Sequence, residues 1–382
     1  MYLELTDEQL ELRDSARSAL ARECPPRRVR DIAAGATGAG DLATALNWLG
    51  WPALTIDVDL GGLGRSFVEL AIVLEEMGRA AVPGSFLPTQ ALFAPVVREA
   101  GTTAQAHRFL AGVAAGELSG TLALHEGGRW DPLTVVATAE RDGDGWLLRG
   151  HKQHVLGAPD VDEVVVAARR ETGTLGLFVV PAAELTFKRT TSLDATRSLA
   201  NVELNGVWVP EARLLGEPDV DAGKALASAL SVATVALALD GLGVCAALFD
   251  ASLAAAREGE ATHVGQATEH TLADMLVAIE TARALTYQAS CAVAEGHATA
   301  ARVASSAKAA VGECQRLVSA ACLELHETPV DRDGRDLRLW VGRAKADDLL
   351  FGSSADHRRI IADQMLSASR ARSSQLAAAL VR

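Results

Sequence analysis

Few residues in this chain combine a reactive type with a spacing that chemistry can use. The five cysteines, Cys24, Cys245, Cys291, Cys314 and Cys322, lie far apart with no CxxC pair and an odd total. Neither a disulfide framework nor a thiolate metal site is indicated, and they read as small core residues in a reducing cytoplasm. The run Asp142-Gly143-Asp144-Gly145 alternates carboxylates as a calcium loop does. It lacks the remaining ligand positions and sits between two strand candidates, so it reads as a hairpin turn. Gly61, Gly62 and Gly64 precede a helical pattern, but no strand leads in and no Lys-Ser/Thr follows. A turn is read there rather than a phosphate cradle. Asp240 is the lone charge in the apolar window 229–249, where a carboxylate needs a partner or a shifted pKa.

The chain that must position such groups has 382 residues, 49% hydrophobic and 22% charged, enough to bury a large core in two or three packed units. Its 33 glycines and 12 prolines exclude a low-complexity composition. A net charge of -13 with no basic stripe disfavours a nucleic-acid partner. The start of the chain lacks the basic and apolar regions of a signal peptide, and the uncharged run within 229–249 falls short of a bilayer span, so no membrane partner is expected.

Thr6 and Gln9 stand at capping-box spacing before an amphipathic pattern, and helical patterns recur at 42–49, 67–81 and 104–115. From about 120 to 215 the apolar runs become short and β-branched, at 134–139, 146–148, 164–168, 175–180 and 201–208, with Asn205-Gly206 as a further turn signal. Long Ala/Leu-rich helical patterns follow at 223–257, 268–295, 299–325 and 333–354. The chain is therefore an α+β multidomain protein. It has an N-terminal helical domain (1–118), a middle β-barrel or sandwich domain (119–220) and a C-terminal four-helix bundle (221–382) with apolar surface to spare for an oligomer.

Several stretches resemble the acyl-CoA dehydrogenase family. Leu49-Gly50-Trp51, the segment from Gly61 to Leu70 and Glu75-Glu76-Met77-Gly78-Arg79 are similar to its N-terminal signature. Asp194-Ala195-Thr196-Arg197, Val207-Trp208-Val209-Pro210, His270-Thr271-Leu272-Ala273-Asp274-Met275 and Arg343-Ala344-Lys345-Ala346 extend the likeness over nearly the whole chain. The resemblance implies α,β-dehydrogenation of an acyl-CoA or other acyl thioester, with a buried carboxylate taking the α-proton and FAD accepting the hydride.

Against that pattern the expected site is depleted. A gapless register through His326-Glu327-Thr328 places Gly334 at the usual glutamate position, and the alternative position on the helix opening the last domain falls near Ala233. Asp333, Asp331 and Asp240 are the substitute bases to consider. His125 and Glu126, in Ala-Leu-His-Glu-Gly-Gly, and His154 and Leu156, after Gly-His-Lys, stand where the family contacts the flavin ring. The diphosphate side carries Glu258, Glu260, Glu327 and Thr328 in place of cationic and glycine positions.

The reading that follows is a degenerate subunit paired with a catalytically complete homologue in a homo- or hetero-tetramer, with FAD shared with or held by the partner chain. Two alternatives stand beside it: a self-sufficient FAD-dependent dehydrogenase with a relocated base, and a non-redox acyl-thioester-binding or scaffold protein.

Overall fold

Helix starts in this chain follow the side chains that satisfy their first N–H groups. The structure is a computed structural model describing residues 5–128, 130–131, 134–259, 261–262, 265–328, 330 and 334–366. The first helical layer comprises α1 (Asp7–Glu23), α2 (Pro26–Ala33), α3 (Gly40–Trp48), α4 (Phe67–Arg79), α5 (Phe86–Pro88), α6 (Ala94–Ala100) and α7 (Thr103–Ala114). Thr6 Oγ1 accepts from Gln9 N at 3.3 Å while Gln9 Oε1 accepts from Thr6 N at 3.1 Å, the expected reciprocal cap on α1. Thr102 and Gln105 form a second such box on α7. The turn before α4 carries Gly61 at φ 83, and Ser66 caps the helix.

The middle of the chain forms one curled seven-stranded sheet. Its strands are β1 (Gly120–Ala123), β2 (Thr138–Asp142), β3 (Gly145–Leu156), β4 (Glu163–Arg170), β5 (Leu175–Pro181), β6 (Thr186–Arg189) and β7 (Leu199–Pro210). The order is β1-β4-β2-β3-β7-β6, with β5 on β4; β1 and β2 run parallel to β4, and the other pairs are antiparallel. The Asp142–Gly145 run is the β2–β3 hairpin turn, with Gly143 at φ 62. Two expectations change. The run at 146–148 is only the start of a 12-residue strand that continues through His151 and Lys152. Asn205-Gly206 is not a turn but a bulge inside β7, where Gly206 at φ 78 is the extra residue opposite Leu148 and Arg149. A bulge and a turn both need a residue tolerant of positive φ, so the dipeptide alone does not separate them.

The last third forms α8 (Gly223–Arg257), α9 (Gln266–Ala294), α10 (Ala300–Leu325) and α11 (Leu337–Leu349), and residues 354–366 are helical too. Helix α8 is long and apolar enough to cross a membrane, but 89% of its most apolar window is buried inside the fold, which accounts for its composition. Its glycines have a packing role. A Cβ on Gly243 would meet Glu75 O at 1.9 Å, and one on Gly78 would meet Asp240 O at 2.0 Å, so α4 and α8 cross backbone against backbone.

Asp240 stands at that crossing. Its carboxylate accepts from Arg343 Nε at 3.0 Å and Nη2 at 2.6 Å, and from Arg197 Nη2 at 2.5 Å. Arg343 also donates to Val82 O and Thr196 Oγ1, both at 3.0 Å, and Arg197 reaches Asp347. The helical layer, the sheet and the bundle thus meet at one buried ion network. Replacing Asp240 with Asn removes the anion that both guanidiniums share. It is expected to lower unfolding free energy by about 3–5 kcal/mol in urea titration, whereas Asp14→Asn at the exposed Arg13 pair should change it by less than about 1 kcal/mol.

Candidate functional site

Strand β3 carries the first component. Lys152 is fully buried and donates to Glu126 Oε1 at 2.5 Å and Leu124 O at 3.4 Å, tying β3 to the segment after β1. The strand then bulges between Lys152 and Val155, and His154 takes φ 52 while its N–H donates to Asn201 Oδ1 at 3.1 Å. A bulge re-aims the side chain, here into a cavity of about 420 Å3.

The segment after β1 supplies the facing wall. Glu126 accepts from Val136 N at 2.5 Å and Ala137 N at 2.9 Å, so its carboxylate pins both ends of the intervening loop. Within the loop Gly127 and Gly128 take φ 97 and 73, and Trp130 reaches across to the bundle. There a Cβ on Gly352 would meet Trp130 Cδ1 at 2.7 Å, so only glycine lets the indole pass.

The third wall is the C-terminal end of α11. Buried Lys308 donates to the carbonyls of Asp347 at 2.6 Å, Asp348 at 3.3 Å and Gly352 at 3.4 Å, satisfying groups the helix end leaves unpaired. His357, also buried, bonds Phe351 O at 3.1 Å. These anchors hold Phe351 at φ 56 with its side chain at the cavity. Four rings then run in a row. Phe351 meets Trp130 edge-on at 5.4 Å, Trp130 lies 5.9 Å from His125 at 35°, and His125 lies 5.9 Å from His154 at 30°. Burial, then the neighbouring His154, push the His125 imidazole below its ordinary value.

The structure sorts the residues singled out by sequence. His125 and His154 come together in the cavity. Glu126 lines an adjoining cavity that shares Leu124, His125 and Trp130, with its carboxylate engaged as described. Leu156 is buried away from the cavity, its carbonyl accepting from Thr121 Oγ1 at 2.6 Å. Asp240 lies in the ion network; burial pushes its carboxyl up, but Arg197 and Arg343 outweigh that and hold it at about 2, the opposite of what a general base needs. Gly334 does not line the cavity: it precedes α11, and the cavity is reached from the other end of that 13-residue helix, about 20 Å on. The bundle presents Phe351 there instead. Asp333, Asp331 and Glu260 lie outside the described residues. Trp130, Gln153, Phe351 and Asp356 also line the cavity and were not singled out by sequence. Trp130, one of six tryptophans and set in a Gly-rich loop, was the available signal.

A helical layer and a helical bundle closed on a curled sheet, with a ring-lined cavity at their junction, define a class of dehydrogenase-like folds. The pattern for the acyl-CoA dehydrogenase N-terminal domain matches residues 6–117, and that for the C-terminal domain matches residues 223–366. The chain belongs to the acyl-CoA dehydrogenase family, whose members are oxidoreductases acting on CH–CH bonds. It is 26% identical over 340 residues to the mitochondrial short-chain specific acyl-CoA dehydrogenase of Bos taurus, covering 83% of this chain and 80% of that one. A variant of the Tcur3481-Tcur3483 steroid ACAD superposes with a TM-score of 0.84 at 29% identity, covering 95% of this chain and 99% of that chain. The ChsE4-ChsE5 complex from Mycobacterium tuberculosis gives 0.83 at 21% identity, with 96% and 99% covered.

Family members generally bind FAD. Here the donor set does not fit the complete cofactor. No Lys or Arg is among the described residues lining the cavity, and Trp130 and Phe351 stand within it. Thr328 and Glu327, on the expected diphosphate side, are exposed, with Thr328 Oγ1 donating to Val330 O at 3.1 Å. Flat rings suit the stacked walls, but a diphosphate finds no Lys or Arg among the described lining residues.

The His357 anchor makes the wall pH-sensitive. Burial first, then Lys308, push this imidazole down to about 4, against weaker opposition from the Phe351 carbonyl, Asp356 and Asp348. The folded state keeps it neutral while the unfolded chain takes a proton below about 6.5, so its contribution is complete above that pH and is lost towards pH 4. Urea midpoints at pH 7 and pH 5 should show the wild type losing up to about 1.4 kcal/mol per pH unit more than His357→Leu.

Proposed function

We propose that this chain is a non-catalytic subunit of an acyl-CoA dehydrogenase, assembled with a catalytically complete homologue that supplies the base and holds the FAD. The carrying observation is the state of the carboxylates around the cavity. Asp356 is the one acid among its described lining residues, and it accepts from Ser353 N at 3.0 Å and Ser353 Oγ at 2.7 Å. Burial raises the Asp356 carboxyl, but the Ser353 hydrogen bonds outweigh it and leave it below its ordinary value. Glu126, next door, is held by Lys152 and two backbone N–H groups. Both carboxylates are already engaged as acceptors, and Phe351 stands in the cavity wall.

The outer surface supports assembly. Leu276 and Val277 on α9 and Leu317 and Leu323 on α10 are exposed, apolar positions on the bundle. The Tcur3481-Tcur3483 and ChsE4-ChsE5 proteins are each named as a pair of chains, and the present chain resembles them over 95% or more of its length. In the proposed assembly this chain supplies packing surface and a closed cavity wall, while proton and hydride transfer occur on the partner.

The test compares the chain purified alone with the chain co-expressed with a homologue that retains the catalytic glutamate. The lone protein should carry less than about one flavin per ten chains and form no enoyl thioester; the mixed complex should elute as one species and turn over. One flavin per chain and turnover in the lone protein would overturn this reading.

A further inference from the structure

The buried ion network brings three carboxyls against two guanidiniums. Asp194, Asp240, Asp347, Arg197 and Arg343 are all buried, so water cannot make up a shortfall of charge among them. With every acid ionised, these five side chains would hold one anion more than their guanidiniums balance. Lys308 faces Asp347 from α10, but its Nζ is spent on the backbone carbonyls of Asp347, Asp348 and Gly352.

The three acids are not equivalent. Asp240 uses both oxygens, Oδ1 accepting from Arg343 Nη2 and Oδ2 from Arg343 Nε and Arg197 Nη2. Asp194 Oδ1 accepts from Thr196 N at 2.8 Å and Thr196 Oγ1 at 2.5 Å, and its Oδ2 stands 3.7 Å from Arg197 Nη1. Asp347 accepts from Arg197 through Oδ1, while its Oδ2 is buried with no donor among the described residues. The carboxyl groups of Asp240 and Asp347 lie within hydrogen-bond reach of each other. Two acids so placed are best satisfied by one proton between them, and Asp347 has the fewest donors to hold it ionised.

We propose that Asp347 is a neutral acid in the folded chain, its proton shared with the Asp240 carboxylate, and that removal of this proton is a switch that loosens the end of α11 and the Phe351 wall. Burial pushes the Asp347 carboxyl up to about 7; Asp240 and Asp194 add to this, and Arg197 and Arg343 oppose it. Cys245 of α8 also faces Asp347, with a thiol that burial keeps neutral. Once ionised, Asp347 sets a second anion against Asp240 at the residue whose carbonyl Lys308 grips at 2.6 Å, four residues before Phe351. The switch is independent of the proposed assembly.

Lys308, which burial pushes down to about 8, titrates in the same region, so the first readout must be specific to a carboxyl. In carbon-13 NMR of the full chain labelled at its aspartate carboxyls, one resonance should titrate with a midpoint near 7 and be missing from Asp347→Asn. Asn keeps an acceptor for Arg197 and offers Asp240 an N–H in place of the shared proton. The unfolded chain gives up this proton near about 3.9, so its stabilisation is complete below that pH and is lost as pH rises to about 7. In urea titrations between about pH 5 and about pH 6.5, the unfolding constant of the wild type should therefore rise by up to about tenfold per pH unit relative to that of Asp347→Asn. His357 is common to both chains and cancels. The Leu350 amide donates to Ala346 O at 3.0 Å at the end of α11. Corrected for intrinsic rate, its hydrogen exchange at about pH 8.5 should be faster in the wild type than in the variant. Absence of an aspartate carboxyl titrating near neutrality, parallel stability curves, or equal exchange overturns the proposal. Should Asp347→Asn fail to fold, the carboxyl titration of the wild type decides.

Discussion

One carboxylate, that of Asp240, constrains the arrangement of the whole molecule. It reaches its partners only because Gly78 and Gly243 let α4 and α8 touch backbone to backbone. From there it binds Arg343 of α11 through both oxygens, and Arg197 of the loop before β7. Arg343 passes the constraint to the Val82 carbonyl, Arg197 to Asp347. In so buried a place each charge depends on the others, since an unpaired ion costs far more than a pair contributes. The network is thus less a source of net stability than a specification of how three layers meet.

The cavity inherits its shape from that specification. Arg343 and Asp347 lie on α11, and Lys308 grips the carbonyls at the end of the same helix. The position of Phe351 against Trp130 therefore follows from ion pairs well behind the cavity wall. On the sheet side, Lys152 and Glu126 do the equivalent work by joining β1 to β3. Among the described residues lining the ring-lined cavity, Asp356 is the one carboxylate and no Lys or Arg is present.

The parts of the fold written in local patterns were legible: the capping box at Thr6, the hairpin at Asp142–Gly145, and the α-then-β-then-α order. Strand lengths were not, because β3 continues through His151 and Lys152, and burial of a lysine depends on Glu126, which is distant in sequence. The site was half legible. His125 and His154 were found through their place in a family pattern. The wall at Phe351 was missed because the family register was followed only across 326–344, whereas the cavity is lined from beyond the end of α11. Nothing in the residue types between those points marks which end of the helix turns towards the sheet.

Local strain separates a maintained cavity from a relic. Three non-glycine residues among those described have positive φ, and two of them, His154 and Phe351, line the ring-lined cavity. Each left-handed residue costs of order 1–3 kcal/mol and persists only where its surroundings over-determine it. Asn201 holds the bulge at His154, while Lys308 and His357 hold the turn at Phe351. A wall without such anchors would be free to relax, since glycine or an extended backbone would relieve the strain at once. The anchors instead force an aromatic row into a defined shape. The cavity wall of this chain is therefore built as a fixed surface.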